Sequence, residues 1–192
     1  DWRRGLIPIS LFILFILRFR LGAPIWVLIL FCLWIPVYYL FIPYYTAKRW
    51  TAFEKNFNRR FQRGEHKTLL EDYRKERFLR RFGPREVMLQ KLGLIYSAMG
   101  KFREAELAIE QAIDATKGSV SEQLLFNLAN IKFELGKFDE AMKIYLTLRG
   151  NSPYQRAART QMALIDLNRG ARVEQAVKFL EDERERATGS MR

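Results

Sequence analysis

The stretch Gly100-Lys-Phe-Arg-Glu-Ala105 returns 36 residues later as Gly136-Lys-Phe-Asp-Glu-Ala141. Self-similarity at such a period is typical of a chain built from stacked copies of one small unit. Around both copies, apolar residues recur every three or four positions, which predicts helices. Small residues such as Gly93 and Ala129 let two helices approach closely. Because one helix pair cannot bury its apolar face alone, the pairs are expected to stack into an all-α solenoid.

The residues around the two copies resemble the tetratricopeptide repeat (TPR), a helix–turn–helix unit of about 34 residues. The first copy carries the pattern at Leu89, Leu92, Gly93, Tyr96, Gly100, Phe102 and Ala105. The second carries it at Leu125, Leu128, Ala129, Gly136, Phe138, Ala141 and Tyr145, with Pro153 at the end position and Lys132 replacing the usual Tyr. The resemblance implies TPR-like repeats within 84–190, at about 86–119, 122–155 and a degenerate 156–187.

In this family the first helix of each pair lines a surface that usually binds peptides. The resemblance therefore implies a partner-binding groove formed by Gln90, Lys91, Leu94, Gln123, Phe126, Asn127, Asn130 and Phe133, with Ser97, Thr160, Gln161 and Leu164 nearby. Asn127 and Asn130 could pair with an extended backbone, because an amide both donates and accepts hydrogen bonds. The alternative is that these amides are merely solvated and that a short array binds through its edges.

Residues 24–45 contain no charged side chain. As one helix, these 22 residues would extend about 33 Å, enough for a hydrocarbon core of about 30 Å. Pro36 and Pro43 predict a kink or an early end within it. The stretch is therefore predicted to be a transmembrane helix.

The preceding apolar stretch, a short helix predicted over 5–20 within an N-terminal membrane segment 1–47, has three interpretations. It could be a second span that completes a transmembrane helical hairpin, or a re-entrant or interfacial helix. It could also be a signal peptide, although no small-x-small cleavage pattern follows it. The short turn with Gly22 and Pro24 favours the hairpin.

Residues 48–83 carry 12 basic and 5 acidic side chains, whereas 84–192 are nearly balanced, with 17 and 15. Two amphipathic helices around Gly64 are predicted here, as a basic juxtamembrane hairpin that could also be a degenerate repeat. Because translocating this charge is unfavourable, the repeats are expected to face the cytoplasm. Its cations are candidates for contact with anionic lipid headgroups, namely Arg49, Arg59, Arg60 and Arg63. The alternative is a hairpin whose charged faces are only solvated.

The chain has one cysteine, Cys32, and one histidine, His66. Sites of three or four Cys and His ligands are therefore excluded, and no metal or cofactor is expected. Nucleic acid binding is not expected either, because the helical spacing of the aromatic residues within 48–83 predicts that they are buried and not exposed for base stacking. Together these features predict a non-catalytic, membrane-anchored adaptor or scaffold that recruits partner proteins at the cytoplasmic face. The alternative is an accessory subunit of a larger integral membrane complex, bound through its transmembrane helices.

Overall fold

The computed structural model describes residues 2–20, 22, 24–36, 40–148, 150 and 153–189. Over these residues the chain forms eleven helices and no strand, which confirms the all-α prediction. The helices are α1 Trp2–Phe19, α2 Ile25–Pro36, α3 Ile42–Gln62, α4 His66–Lys75, α5 Arg77–Phe82, α6 Arg85–Ala98, α7 Phe102–Ala115, α8 Glu122–Glu134, α9 Phe138–Thr147, α10 Gln155–Asn168 and α11 Val173–Gly189. They divide into one unit of Asp1–Asn58 with Phe78–Gly83, and a second of Arg59–Arg77 with Pro84–Arg192.

In the first unit, the predicted helix over 24–45 corresponds to two described helices, and its continuity between them stays a prediction. Helix α2 ends at Pro36 after 12 residues, and α3 begins at Ile42 beyond a wider, π-type turn at 40–41. Residues 37–39, which the predicted helix would have included, lie outside the described residues.

Helix α1 is longer than expected, with 18 residues, and it includes Arg3, Arg4 and Arg18. It contacts α2. Among the described residues, no helix has both the length and the apolar character needed to cross a membrane. The predicted transmembrane hairpin is therefore without support from the helices of this unit.

The predicted second helix of the basic hairpin is two helices, α4 and α5, separated by Glu76. The spacing of the apolar residues agrees with this break. Leu70 and Tyr73 follow helical spacing on α4, but the next apolar residue, Phe78, comes five positions after Tyr73. A continuous helix would place Phe78 on a different face from Leu70 and Tyr73, so the apolar pattern agrees with two separate helices.

In the second unit, helices α6 to α11 form three consecutive pairs, and each helix contacts the next along the chain. The first helices of neighbouring pairs also contact one another, α6 with α8 and α8 with α10. One buried cluster joins the first pair to the second through α7 and α8, and consists of Ala105, Ile109, Ala112, Leu124, Leu128 and Ile131. A second joins α8 and α9 to α10, and consists of Ala129, Ala141, Tyr145, Leu148, Ala158, Met162 and Ile165. Because each core is shared by successive pairs, the pairs stabilise one another.

The turns within these pairs share one backbone conformation. Gly100 and Gly136 have φ of 72° and 73°, in the left-handed region that side chains with a Cβ rarely adopt. Gly170, in the third pair, has φ of 66°, and Gly64, which the 36-residue spacing aligns with Gly100, has φ of 73°. The recurrence of glycine in the sequence therefore follows from a recurrent helix-ending turn.

Helices α6 and α7 pack closely at Gly93, which is buried. A Cβ atom at this position would lie 2.5 Å from Ile109 Cδ1 and 2.6 Å from Ile109 Cγ1. Ile109 itself is fully buried, so its side chain has little room to move away. The small residue is therefore required by the approach of the two helices.

We expect Gly93→Ala to lower the free energy of unfolding by about 1–3 kcal/mol, the usual cost of overpacking a core. The sign of the stability change is informative, because a glycine-to-alanine substitution at an exposed position within a helix would stabilise the protein by about 1 kcal/mol. Urea unfolding of the full chain, followed by circular dichroism in mild detergent, measures the effect. In an Ile109→Ala background the cost of the added methyl group should largely disappear. An unchanged cost there would show that the collision with Ile109 is not its cause.

Candidate partner-binding surface

The first helices of the three pairs expose a common face, which we call the α6–α8–α10 face. It contains a cavity of about 370 Å³. The cavity is lined by Ser97 on α6, Asn130, Phe133 and Glu134 on α8, Gln161 on α10, and Phe102 at the start of α7. Two aromatic rings, three uncharged polar groups and one carboxylate therefore converge on one site. Such a lining can hold an apolar side chain and hydrogen-bond the backbone beside it.

The orientation of Asn130 is set by a buried tyrosine. The Tyr145 hydroxyl donates a hydrogen bond of 2.6 Å to Asn130 Oδ1. Burial raises the pKa of Tyr145, and the nearby Glu134 carboxylate raises it further, so the hydroxyl keeps its proton and acts as the donor. Because the carboxamide oxygen is engaged in this bond, the group that Asn130 can offer a ligand is its NH₂ donor.

The two predicted aromatic residues of the groove lie in different surroundings. Phe133 lines the cavity and packs edge-to-face on Phe138, with ring centroids 5.5 Å apart. Phe126 is stacked on Tyr154 at 5.1 Å and packs edge-to-face on Tyr145 at 6.0 Å. Phe126 thus contributes to the core between the second and third pairs, while Phe133 serves both the core and the cavity.

The other predicted groove residues are spread along α6 and α8. Gln123 is exposed, whereas Gln90, Leu94 and Asn127 are half-buried. Asn127 Nδ2 is buried without a hydrogen-bond partner in the described part of the chain, so a carbonyl oxygen brought near it would satisfy it. Lys91 is buried with 9% of its surface exposed, which leaves it little surface for a partner.

Of the groove predicted from the sequence, Asn130 and Phe133 come together in the cavity, and Ser97 and Gln161 join them. Phe102 and Glu134 also line it but were not foreseen. Phe102 belongs to the repeat pattern at the start of the second helix of its pair, and Glu134 was not among the predicted groove residues. The signal that could have found Glu134 is its position one helical turn after Asn130, on the same face of α8.

A network of ion pairs joins the first helix pair, α6–α7, to the second, α8–α9, at a place apart from the cavity. Lys132 Nζ lies 2.8 Å from Glu106 Oε1 on α7, 2.7 Å from Glu140 Oε2 on α9 and 3.5 Å from Glu110 Oε1. Lys137 Nζ lies 2.8 Å from Glu106 Oε2. Lys132 and Glu106 are both buried, so each charge depends on the other for compensation.

The network shifts the pKa values of three of its members. Burial alone would lower the pKa of Lys132, but its hydrogen bonds to Glu106 and Glu140 outweigh burial and raise that pKa. Burial would likewise raise the pKa of Glu106, and the bonds from Lys132 and Lys137 lower it below its ordinary value of 4.5. The pKa of Glu140 is lowered by the bond from Lys132. All three groups are therefore charged at neutral pH.

The four arginines predicted to contact lipid headgroups differ in their exposure and in their contacts. Arg49 is half-buried, and its guanidinium lies 5.8 Å from the ring centroids of both Tyr45 and Phe78. Arg60 is paired with Asp72 at 3.3 Å and with Glu65 at 3.9 Å. Arg59 and Arg63 are exposed. Arg60 is thus used to join the end of α3 to α4, which the sequence pattern did not indicate.

The α6–α9 segment has a recognisable relationship to a known family. The sequence pattern of the tetratricopeptide repeat family matches residues 87–118 and 122–148. These two segments are the pairs α6–α7 and α8–α9, and the TPR assignment made from the sequence is therefore confirmed for residues 87–148. No curated protein matches the chain.

In the parts of the chain that the structure describes, no group of three or more His, Cys, Asp or Glu side chains is placed to hold a metal ion.

We expect Lys132→Met to lower the free energy of unfolding by about 2–3 kcal/mol, because it leaves the buried Glu106 with Lys137 as a weaker, more exposed partner. The matched control is Lys143→Met on α9, where the side chain is exposed and a change within about 0.5 kcal/mol is expected. Urea unfolding of the full-length variants measures both. Equal effects at the two positions would show that the network does not stabilise the pairs.

The lowered pKa of Glu106 predicts a pH dependence. Its stabilisation is fully present above pH 4.5, the ordinary value, and is lost as pH falls through the lowered pKa of the folded state. Glu106→Gln should therefore be less stable than the wild type at pH 7, and the difference should shrink below pH 4.5. Unfolding curves of both proteins at pH 7 and at pH 3 test this. A difference that stays constant over this range would contradict the assignment.

Proposed function

We propose that this protein is a non-catalytic scaffold that binds partner proteins on its TPR pairs and is held at a membrane by its first unit. The observation that carries the first part is the cavity on the α6–α8–α10 face, where Asn130, Phe133 and Glu134 meet Ser97 and Gln161. Donors, rings and a carboxylate suit a peptide segment with an apolar side chain and a neighbouring cation.

The membrane part of the proposal is supported by apolar side chains that the first unit leaves exposed. Those on α1 are Ile9, Phe12, Ile13, Phe15 and Phe19, and those on α2 are Ile25, Trp26, Ile29, Leu30 and Leu33. Large apolar side chains left exposed in this number usually mark a site that a membrane or another protein covers. The absence of charge over residues 24–45 agrees with a lipid environment.

The orientation we propose places the repeats at the cytoplasmic face, on the ground that 48–83 carry 12 basic and 5 acidic side chains. Arg49, Arg59 and Arg63 would then lie near anionic lipid headgroups. Confining scaffold and partner to one surface raises their effective concentration, so each contact on the repeats can be weak and still be occupied.

A second candidate function is an accessory subunit of a larger membrane complex. The same exposed apolar side chains on α1 and α2 favour it, because they could pack against helices of other subunits. In that case the repeats would contact a neighbouring subunit, and the protein would be bound to the complex mainly through its first unit.

The first test combines membrane fractionation with affinity purification of the full chain in mild detergent. We expect the chain to stay with membranes through a high-salt wash and to be released by detergent. Glu134→Lys should lower the recovery of its partner proteins several-fold, because it places a positive charge in the cavity. Glu174→Lys on α11 is the control with the same change of charge at an exposed position.

Release of the chain by salt alone would contradict the membrane part of the proposal. Partners that survive Glu134→Lys as well as the control would contradict binding at the cavity. If those partners are integral membrane proteins, the result would favour the accessory subunit.

A further inference from the structure

The first unit is strongly basic. Asp1–Asn58 and Phe78–Gly83 together contain nine Lys and Arg residues against two acidic residues, Asp1 and Glu54. Part of this charge comes from α5, which belongs to this unit although it is distant in sequence from α3. We refer to Tyr45, Arg49, Phe78, Arg80 and Arg81 as the α3–α5 corner.

Aromatic packing holds the corner together. The ring of Phe78 packs edge-to-face on Tyr45 with centroids 5.1 Å apart. The guanidinium of Arg49 lies over both rings, which adds a cation–π contact at each. On α5, Leu79 is fully buried, whereas Arg80 and Arg81 are exposed. The apolar residues of α5 thus anchor the helix, and its arginines are presented on the surface.

The corner begins where the uncharged stretch ends. Tyr45 lies three residues before Lys48, the first charged residue after that stretch, and Leu40, Phe41 and Tyr44 just before it are 72%, 61% and 68% exposed. From Tyr44 to Arg49 the helix rises about 7–8 Å. The polar headgroup layer on each side of a bilayer is roughly 5–8 Å thick. If the exposed apolar side chains lie in the hydrocarbon, the guanidinium of Arg49 lies among the headgroups, and α5, which packs beside it through Phe78, lies close to the same layer.

We propose that the α3–α5 corner binds the phosphate groups of anionic phospholipids, with Arg80 and Arg81 as the principal contacts. Arginine suits this role because its planar fork donates two hydrogen bonds to one phosphate. The proposal rests on the membrane part of the proposed function and names its lipid class and residues. It places the main contacts on α5, whereas the sequence pattern pointed to arginines on α3 and just after it.

The experiment offers the full chain, diluted from mild detergent, to equal amounts of two kinds of vesicle that differ in a fluorescent label. One kind is phosphatidylcholine alone, and the other contains one part phosphatidylglycerol to three parts phosphatidylcholine. Flotation then gives the ratio of protein on the two. We expect the wild type to prefer the anionic vesicles by about tenfold or more at low salt, and Arg80→Gln/Arg81→Gln to lose most of that preference.

Two further variants separate charge from folding. Arg80→Lys/Arg81→Lys keeps the charge and should retain most of the preference. Arg103→Gln/Arg159→Gln removes two exposed arginines from the repeat pairs and should leave the preference unchanged. Circular dichroism of each variant checks that the helices are intact.

Each of the remaining outcomes overturns a specific part of what we propose. A wild type that floats with neither vesicle overturns the membrane part of the proposed function. A wild type that floats with both equally, or a glutamine variant that keeps the preference, overturns the lipid assignment alone. If the wild type shows no lipid preference but binds a short single-stranded RNA that the glutamine variant does not bind, the corner is a nucleic-acid surface and the proposal is wrong.

Discussion

The repeat unit depends on how closely the two helices of a pair approach. At Gly93 there is no room for one methyl group, because Ile109 of the facing helix fills the space. At the equivalent place in the second pair, Ala129 and Tyr145 share a buried cluster. The larger residue of the second pair also carries a hydroxyl, which reaches Asn130 on the α6–α8–α10 face. Packing between helices therefore sets the orientation of a side chain at the candidate binding surface.

A second constraint acts between pairs and is electrostatic. Lys132 stands where the repeat family usually has a tyrosine, and its ammonium group meets Glu106 of the preceding pair and Glu140 of its own. A hydrophobic contact would tolerate small shifts between the pairs, whereas short ion pairs with a buried lysine require a defined geometry. The apolar core shared by α7 and α8 and this network thus act together. The cavity lies between helices whose relative positions they determine.

The binding surface was foreseen only in part, and the reason is physical. Helical periodicity shows which residues share a face, and that was enough to place Asn130 and Phe133 on it. Periodicity does not show how deeply a residue sits, so Lys91 and Phe126 were counted as surface although one is buried and the other packs on Tyr154. Depth depends on the helices that cover a residue, and these come from other parts of the chain.

By itself, the sequence determined the all-α class and the TPR pattern of residues 87–148, because these follow from local periodicity, and its glycines at 100 and 136 permit the left-handed turns found there. The sequence likewise located the uncharged stretch 24–45. The tertiary structure alone decided the ion pairs of Lys132, the bond between Tyr145 and Asn130 and the docking of Phe78 on Tyr45. Each of these joins residues from different helices, and their meeting depends on packing that no local pattern records.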